Sequence, residues 1–193
     1  MTLPPTSPSA PPSPAVPPGT PVHTGWGWVT AWIPVTSLVL TIAMMWMMSA
    51  AMLDWFRRIA VMVVAQRADP STLDPSLYSG MIGTVMPFTV ASIAFGLLGW
   101  GLYALGVVAA HFDYTELGRL GYPRRFHWAW SFLNPVYPIG RAVVVHRQAG
   151  AGWATMWLAV GATVASLLLS LIWSFWLVFA ALNEFSVLYG TMA

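Results

Sequence analysis

Hydrophobic side chains dominate three long stretches of the chain, and none of these stretches carries a charge. Trp28 to Leu53, Pro75 to Ala110 and Gln148 to Asn183 contain no Asp, Glu, Lys or Arg. Each holds an apolar core longer than the roughly 20 residues that a helix needs to cross a bilayer. Helices of a soluble domain need a polar face toward water, which these stretches lack. The pattern therefore predicts transmembrane helices over three ranges, about 28–53, 81–110 and 153–182.

A fourth apolar segment, about 126–146, differs from the other three. Pro135 and Pro138 interrupt its middle, and Arg141 lies within it. Proline breaks helical hydrogen bonding, and a charge inside lipid is costly. The sequence therefore predicts a Pro-broken helical hairpin that re-enters the membrane from one side or lies along its surface. Because the segment is just long enough to cross, four transmembrane helices are the alternative. In both cases the predicted fold class is an all-α integral membrane protein.

The N-terminal residues 1–24 have a different composition, rich in Pro, Ser, Thr and Ala. Proline pairs at 4–5, 11–12 and 17–18 block regular helix and sheet. Such a segment has little apolar surface to offset the entropy of ordering, so we expect a disordered tail with polyproline II character. The predicted domains are this tail and a helical membrane domain over 25–193.

Composition supports a membrane protein and excludes some chemistry. The chain is 58% hydrophobic and 7% charged, whereas soluble proteins are about 25% charged. It has no cysteine, so it has no disulfide, thiolate zinc site or cysteine nucleophile. A net charge of +2 arises from too few groups to indicate nucleic-acid binding.

The distribution of arginine predicts an orientation. All eight basic residues are arginines, and the region 111–152 holds five of them. Positive residues concentrate on the cytoplasmic side of membrane proteins. With three spans, the N-terminus and the 111–152 region are then predicted to be cytoplasmic, and the 54–80 loop and the C-terminus lie on the other side.

The region 111–152 is also the part of the chain with enough polar groups for a site. Arg141 is its most unusual residue, because an arginine near apolar sequence normally reaches the interface or a partner. Asn134, the carbonyls freed by the two prolines, and an anionic lipid headgroup are candidate partners. A structural or lipid-anchoring role is the simpler interpretation, and substrate binding is the alternative.

Further candidates in the same region are acidic and histidine side chains. Asp113 and Glu116 lie three apart, so on a continuing helix they share a side. His111 and Asp113 could bind a metal with His127 and His146, but only if the hairpin brings the last two together. The simpler interpretation is that the histidines lie at the interface and that the protein has no metal or other cofactor. No phosphate loop or nucleophile motif is present in the sequence.

The third predicted span carries a strip of small residues at four-residue spacing. They are Ala162, Ser166, Ser170 and Ser174. Small residues let helix backbones approach closely in lipid, so this strip is interpreted as a helix-packing surface. A serine-lined conduit is the alternative.

The central stretch resembles a group of uncharacterised actinobacterial multi-pass membrane proteins. The shared marks are an acid-aromatic-x-x-Leu element (113–117), the basic pair 124–125, the Phe-His-Trp-Ala-Trp run 126–130 and the Gly-Arg-x-Val-Val-Val segment 140–145. Some relatives carry a small N-terminal Trp-rich domain of unknown function, where this chain has its proline-rich tail. The resemblance implies a bacterial cytoplasmic membrane and supplies no catalytic residues.

The sequence predicts an environment more firmly than an activity. The favoured interpretation is a non-enzymatic scaffold or accessory subunit, bound to the lipid bilayer and to a membrane protein partner or to other copies of itself. A small transporter or channel subunit is the first alternative, because Pro-broken segments beside charged groups occur at transport sites. An intramembrane His-based metal protein or enzyme is the second.

Overall fold

The computed structural model describes residues 16–68 and 75–190, which form helices joined by short connections and contain no strand. This confirms the all-α fold class. Its elements, in chain order, are helix α1 (Gly25–Ala68), helix α2 (Pro75–Arg119), a short 3₁₀ helix (Trp128–Phe132), helix α3 (Val136–Ala149) and helix α4 (Ala154–Gly190).

Three of the four α-helices are long and apolar enough to cross a membrane, as predicted. The candidate spans are Gly25–Arg67, Val85–Arg119 and Ala154–Val187. Their outer faces carry exposed Leu, Ile, Val, Phe and Trp side chains, with Trp46 at 84% exposure. Such surfaces are stable in hydrocarbon and not in water.

The helices extend beyond the apolar stretches that the sequence marked. Helix α1 has 44 residues and α2 has 45, about 66 and 68 Å at 1.5 Å per residue, more than twice the roughly 30 Å hydrocarbon core. The predicted spans 28–53 and 81–110 lie within these longer helices. Helical hydrogen bonds persist in water as well as in lipid, so a change in polarity alone does not end a helix.

Helix α1 is the centre of the bundle, since both α2 and α4 pack along it. Near one end of the bundle, Ile33 of α1 reaches the backbone of Gly106 in α2. Farther along α1, the indole Nε1 of Trp173 in α4 donates to the Ser49 hydroxyl at 3.2 Å. Arg57 pairs with Glu184 at 3.0 Å beyond that point. Polar contacts thus fix the register of α1 against α4.

The segment between α2 and α4 folds as a hairpin, which we define as residues 128–149. The 3₁₀ helix runs along α2, the chain turns at residues 133–135 through a cis Asn134–Pro135 bond, and α3 returns. With 14 residues, α3 is about 21 Å long, too short to cross a bilayer. The structure therefore favours three spans with a Pro-broken hairpin over four spans.

The hairpin tip lies deep along α2. The Tyr103 hydroxyl donates to the Phe132 carbonyl at 3.3 Å, and Tyr103 is near the middle of the candidate span Val85–Arg119. Irregular backbone at such depth needs polar partners from the protein. That hydrogen bond, and the 2.7 Å bond from the Val136 amide to the Leu133 carbonyl, supply two of them.

The end of the predicted disordered tail packs against the helical domain. Val16 is buried in a small core with Leu117, Tyr122 and Val145. The Tyr122 hydroxyl also donates to the Pro21 carbonyl at 3.1 Å. Residues 16–24, which we name the strap, thus differ from the expectation of a tail reaching residue 24, because their apolar and carbonyl groups find partners. Residues 1–15 lie outside the described residues.

Candidate functional site

A buried ion pair joins the hairpin to α2. Arg141 Nε donates to Asp113 Oδ2 at 2.6 Å, and the two side chains are 1% and 0% exposed. Withdrawing two charges from water is expensive unless their geometry is good and their other polar atoms are bonded. The surroundings of this pair show how far the protein meets that requirement.

The start of α1 and the strap supply further partners to the ion pair. The Thr24 hydroxyl donates to Asp113 Oδ1 and accepts from Arg141 Nη2 at 3.1 Å. Thr24 precedes the first residue of α1, and its hydroxyl also accepts the Gly27 amide at 2.9 Å, which is the geometry of a helix N-cap. Arg141 Nη2 lies 3.3 Å from the Val22 carbonyl of the strap. One threonine therefore caps α1 and ties it to both charges.

Tyr137 completes the environment of the carboxylate. Its hydroxyl donates to Asp113 Oδ2 at 2.7 Å. Burial raises the pKa of Tyr137, and the negative charge of Asp113 raises it further. A phenol with a raised pKa keeps its proton, so Tyr137 acts as a hydrogen-bond donor to Asp113 at neutral pH. We call Thr24, Asp113, Tyr137 and Arg141 the ion-pair cluster.

A glycine of α1 makes room for the guanidinium. A Cβ atom placed on Gly27 would lie 2.6 Å from Arg141 Nη2 and 2.8 Å from both Arg141 Cζ and the Thr24 hydroxyl oxygen. These distances are shorter than van der Waals contact. Glycine at residue 27 is thus required for the observed seating of Arg141 against the first turn of α1.

A small cavity with both polar and apolar lining borders the cluster on the side of the hairpin tip. Its volume is about 20 Å³, and its lining includes Thr30, Tyr103, Ser131 and Asn134 together with Tyr137. The Ser131 hydroxyl is buried without a protein partner. A volume of this size holds a single water molecule. The cavity can hydrate the tip, and it cannot hold a larger solute in this conformation.

The predicted partners of Arg141 were wrong in part. Asn134 is exposed and lines the cavity, and the described bonds of Arg141 go to Asp113, Thr24 and Val22. The carbonyl that Arg141 binds belongs to the strap and not to the proline turn. A lipid headgroup is no longer needed to explain Arg141, because its burial places it inside the protein.

The acidic residues of α2 have separate environments. Asp113 is fully buried, Glu116 is half-buried and Arg119 is exposed. Within the two described ranges, no ion pair joins Glu116 to a basic residue. Three residues advance a helix by about 300°, so neighbours at this spacing share only part of a face. Asp113 belongs to the ion-pair cluster and Glu116 does not.

The histidines form aromatic contacts and do not assemble with acidic groups. The His127 ring lies 5.5 Å from that of Tyr114, whereas the His146 ring lies 4.9 Å from that of Trp153. No group of three potential metal ligands occurs among residues 16–68 and 75–190. The hairpin therefore does not bring His127 and His146 together with Asp113.

The small-residue strip of α4 is buried only at its beginning. Ala162 is buried, Ser166 and Ser170 are half-buried, and Ser174 is exposed. The hydroxyls of Ser166 and Ser174 donate to carbonyls four residues earlier in α4. Residues four apart differ by about 40° round a helix, so the strip turns away from the buried face of α4, to which Leu177 still belongs farther along.

Sequence reasoning identified Arg141 and Asp113 but missed three residues that surround them. Tyr137, Thr24 and Gly27 are each needed for the observed geometry. Thr24 had a usable signal, since a threonine directly before an apolar helix is a common N-cap. Tyr137 and Gly27 had none, because their importance depends on which helix faces which.

Comparisons of the chain with known protein families, with curated proteins and with solved structures found no match. The three candidate spans nevertheless establish the coarse class, a multi-pass membrane protein in contact with lipid.

Proposed function

We propose that this chain is a non-enzymatic membrane protein that acts as a scaffold or accessory subunit. The proposal rests on one observation: the buried charges of this protein bind other parts of the same chain. Arg141 binds α2 through Asp113, the cap of α1 through Thr24 and the strap through Val22. One side chain thereby holds four segments in a fixed arrangement. Groups engaged in this way serve assembly of the protein rather than recognition of a substrate.

The lipid-facing side of α2 is the surface proposed to bind a partner helix. A Cβ atom at Gly96 or Gly99 would have no neighbour within 4 Å, so the backbone is open at both positions. The two glycines lie beside the exposed Trp100. In lipid, small residues let another helix approach closely, and a neighbouring large side chain adds packing.

Site-specific photocrosslinking tests this proposal. A photoreactive amino acid replaces Leu98, the exposed neighbour of Gly99 in α2, or, as a matched control, the lipid-exposed Ile172 in α4. Native membranes are irradiated and analysed by mass. We expect one discrete adduct from residue 98 and none from residue 172. An adduct near twice the 21.0 kDa chain mass identifies a second copy, and another mass identifies a different partner.

A packing variant sharpens the test. Gly99→Leu fills the space that a partner helix needs, so the adduct formed through a photoreactive group at the adjacent Leu98 should decrease at least about fivefold, the effect of roughly 1 kcal/mol. Leu171→Ala in α4 is the control and should leave the adduct unchanged. Absence of any discrete adduct in native membranes contradicts the proposal.

A small transporter or channel subunit is the second candidate. The hairpin reaches the middle of a span and lines a small cavity there with Ser131 and Asn134, as broken segments do at transport sites. The test measures solute flux across liposomes that contain the protein. Flux that is present in the wild type and lost in Ser131→Ala, while the variant still inserts normally, would favour this function. Flux equal to that of empty liposomes in the wild type rejects it.

The identity of the host membrane also stays a proposal. The Phe-His-Trp-Ala-Trp run 126–130 and the segment 140–145 support placing the chain with actinobacterial membrane proteins. A cytoplasmic side for the N-terminus and the 111–152 region is the orientation that its arginines favour.

A further inference from the structure

A second polar cluster lies at the surface near the end of α2 and includes Tyr114, the residue that follows Asp113. The Arg125 guanidinium carbon sits 4.4 Å from the centre of the Tyr114 ring, and Nη1 donates to the Tyr114 carbonyl at 3.2 Å. The His127 ring lies 5.5 Å from the same tyrosine. Three side chains that can donate hydrogen bonds thus meet at one place. We call Arg125, Tyr114 and His127 the interfacial cluster.

The hydrogen bonding of His127 determines where its proton lies. Nδ1 accepts the Ala129 amide at 3.2 Å, which caps the 3₁₀ helix. A neutral imidazole has one donor and one acceptor nitrogen. With Nδ1 accepting, Nε2 carries the proton and is a donor. His127 and Arg125 are both exposed, so their N–H groups are accessible from outside the protein.

Aromatic contacts mark the level of the cluster as a membrane interface. The Trp26 ring stacks on that of Phe112 with 4.9 Å between ring centres, and the His111 ring lies edge-on to that of Trp128 with 5.3 Å between centres. Amphipathic aromatic rings concentrate at the headgroup level of a bilayer. Tyr114 is two residues after Phe112 on α2, about 3 Å along the helix axis. The interfacial cluster is therefore at headgroup depth.

The charge around the cluster is positive. Arg124 and Arg147 are exposed on the same end of the bundle, whereas Arg119 lies about 140° round α2 from Tyr114 and faces away from the cluster. Glu116 lies two residues after Tyr114, which places it about 200° round the helix, on the opposite side. Asp113 faces inward and is paired with Arg141. The carboxylates of this end therefore face away from the interfacial cluster.

We propose that the interfacial cluster binds the phosphate of an anionic membrane phospholipid. The Arg125 guanidinium supplies charged donors and is held in place by the Tyr114 ring and carbonyl. Nε2–H of His127 and the Tyr114 hydroxyl supply neutral donors beside it. The glycerol and acyl chains of the lipid would extend along the exposed Trp130, Phe132 and Leu133 side chains, which follow His127 into the hairpin. Tyr114 lies 15 residues after Gly99 on α2, about 22 Å along the helix axis, so the lipid phosphate and a partner helix would bind at different depths.

Native mass spectrometry of the full-length protein in detergent tests the site. Phosphatidylglycerol is the anionic probe, phosphatidylcholine the zwitterionic probe, and glycerol phosphate the soluble probe. Arg125→Gln is expected to weaken phosphatidylglycerol binding about fivefold, the effect of one arginine near a membrane surface. Arg119→Gln, which removes the same charge from the same end of α2, is the control and should leave that binding within about twofold.

The remaining results distinguish the alternatives. If Arg125→Gln and Arg119→Gln weaken phosphatidylglycerol binding equally, or if Arg125→Gln does not weaken it, the lipid does not bind at a local site and the proposal is overturned. Phosphatidylcholine binding as tightly as phosphatidylglycerol overturns selectivity for an anionic lipid. Glycerol phosphate that displaces the lipid at the lipid's own concentration shows that a free phosphate ester is the ligand, and it overturns the assignment to a membrane lipid.

A second variant keeps the proposal testable if Arg125→Gln fails to fold. Tyr114→Phe retains the ring beneath Arg125 and removes only the hydroxyl. Loss of one neutral hydrogen bond predicts about two- to tenfold weaker phosphatidylglycerol binding with an unchanged melting temperature. Binding equal to that of the wild type removes Tyr114 from the site and contradicts the proposed donor set.

Discussion

At the scale of single residues, the central fact is that one arginine and one aspartate are buried where α1, α2 and α3 meet. Such a pair adds little net stability compared with apolar residues of the same shape, but breaking it leaves a buried unpaired charge. Arg141 Nη1 is also buried without a protein partner, so the pair has no excess of hydrogen bonds. The ion pair is therefore better explained by its role in specifying how α1, α2 and α3 fit together.

Asp113→Asn is expected to destabilise the folded protein by about 3–5 kcal/mol, the usual cost of leaving one buried charge unpaired. The double variant Asp113→Leu/Arg141→Met should lose less than Asp113→Asn alone. Asp54→Asn is the control, because the pair Arg58–Asp54 is nearly half exposed and such pairs contribute at most about 1 kcal/mol. Reversible unfolding in mixed micelles measures all three. Equal losses for Asp113→Asn and Asp54→Asn would contradict a buried pair.

Gly27→Ala tests how closely Arg141 approaches α1. The added methyl would overlap the guanidinium, which its bonds to Asp113, Thr24 and Val22 keep from moving aside. We expect a loss of about 1–3 kcal/mol, typical of overpacking. Gly25→Ala, two residues earlier with no neighbour within 4 Å, is the control and should change stability by under about 1 kcal/mol. The same unfolding assay compares them, and equal effects would refute the tight fit.

At the scale of the elements, the sequence was most informative about the spans and the break between them. The three uncharged apolar runs predicted helices that face lipid. Two prolines and an arginine predicted a break in the fourth apolar segment. The pairing of Arg141 with Asp113 was not accessible, because 28 residues and a turn separate them. Which face of α3 meets α2 depends on the path of the proline turn. The packing of the strap depended likewise on tertiary contacts.

Cysteine labelling tests the hairpin directly, because the chain has no cysteine of its own. A hairpin leaves the residues before and after it on one side of the membrane, whereas a fourth span would separate them. Arg124→Cys and Ala151→Cys, both at exposed residues, should therefore react with an impermeant maleimide from the same side. Leu133→Cys at the tip should react far more slowly, since it is surrounded by hydrocarbon. Labelling of residues 124 and 151 from opposite sides would establish four spans.

At the scale of the whole molecule, the two ends of the bundle have different chemistry. One end combines the strap, the ion-pair cluster and the interfacial cluster, and it holds five of the eight arginines. The other consists of helix ends that protrude beyond the apolar stretches, joined by the exposed pair Arg57–Glu184. This asymmetry favours one orientation over the other.

The arginine distribution predicts that the end with the strap is cytoplasmic. In bacterial cells expressing single-cysteine variants, Pro18→Cys and Arg124→Cys should react with an impermeant maleimide only after the cells are opened. Val187→Cys, exposed near the end of α4, should react in intact cells. Five arginines on one side against three on the other is a modest bias. It is reinforced because Arg124, Arg125 and Arg147 lie close to the ends of spans. Positive charge opposes translocation most strongly at those positions. The opposite labelling pattern would mean that the buried Arg141 and the hairpin determine insertion instead of the exposed charges.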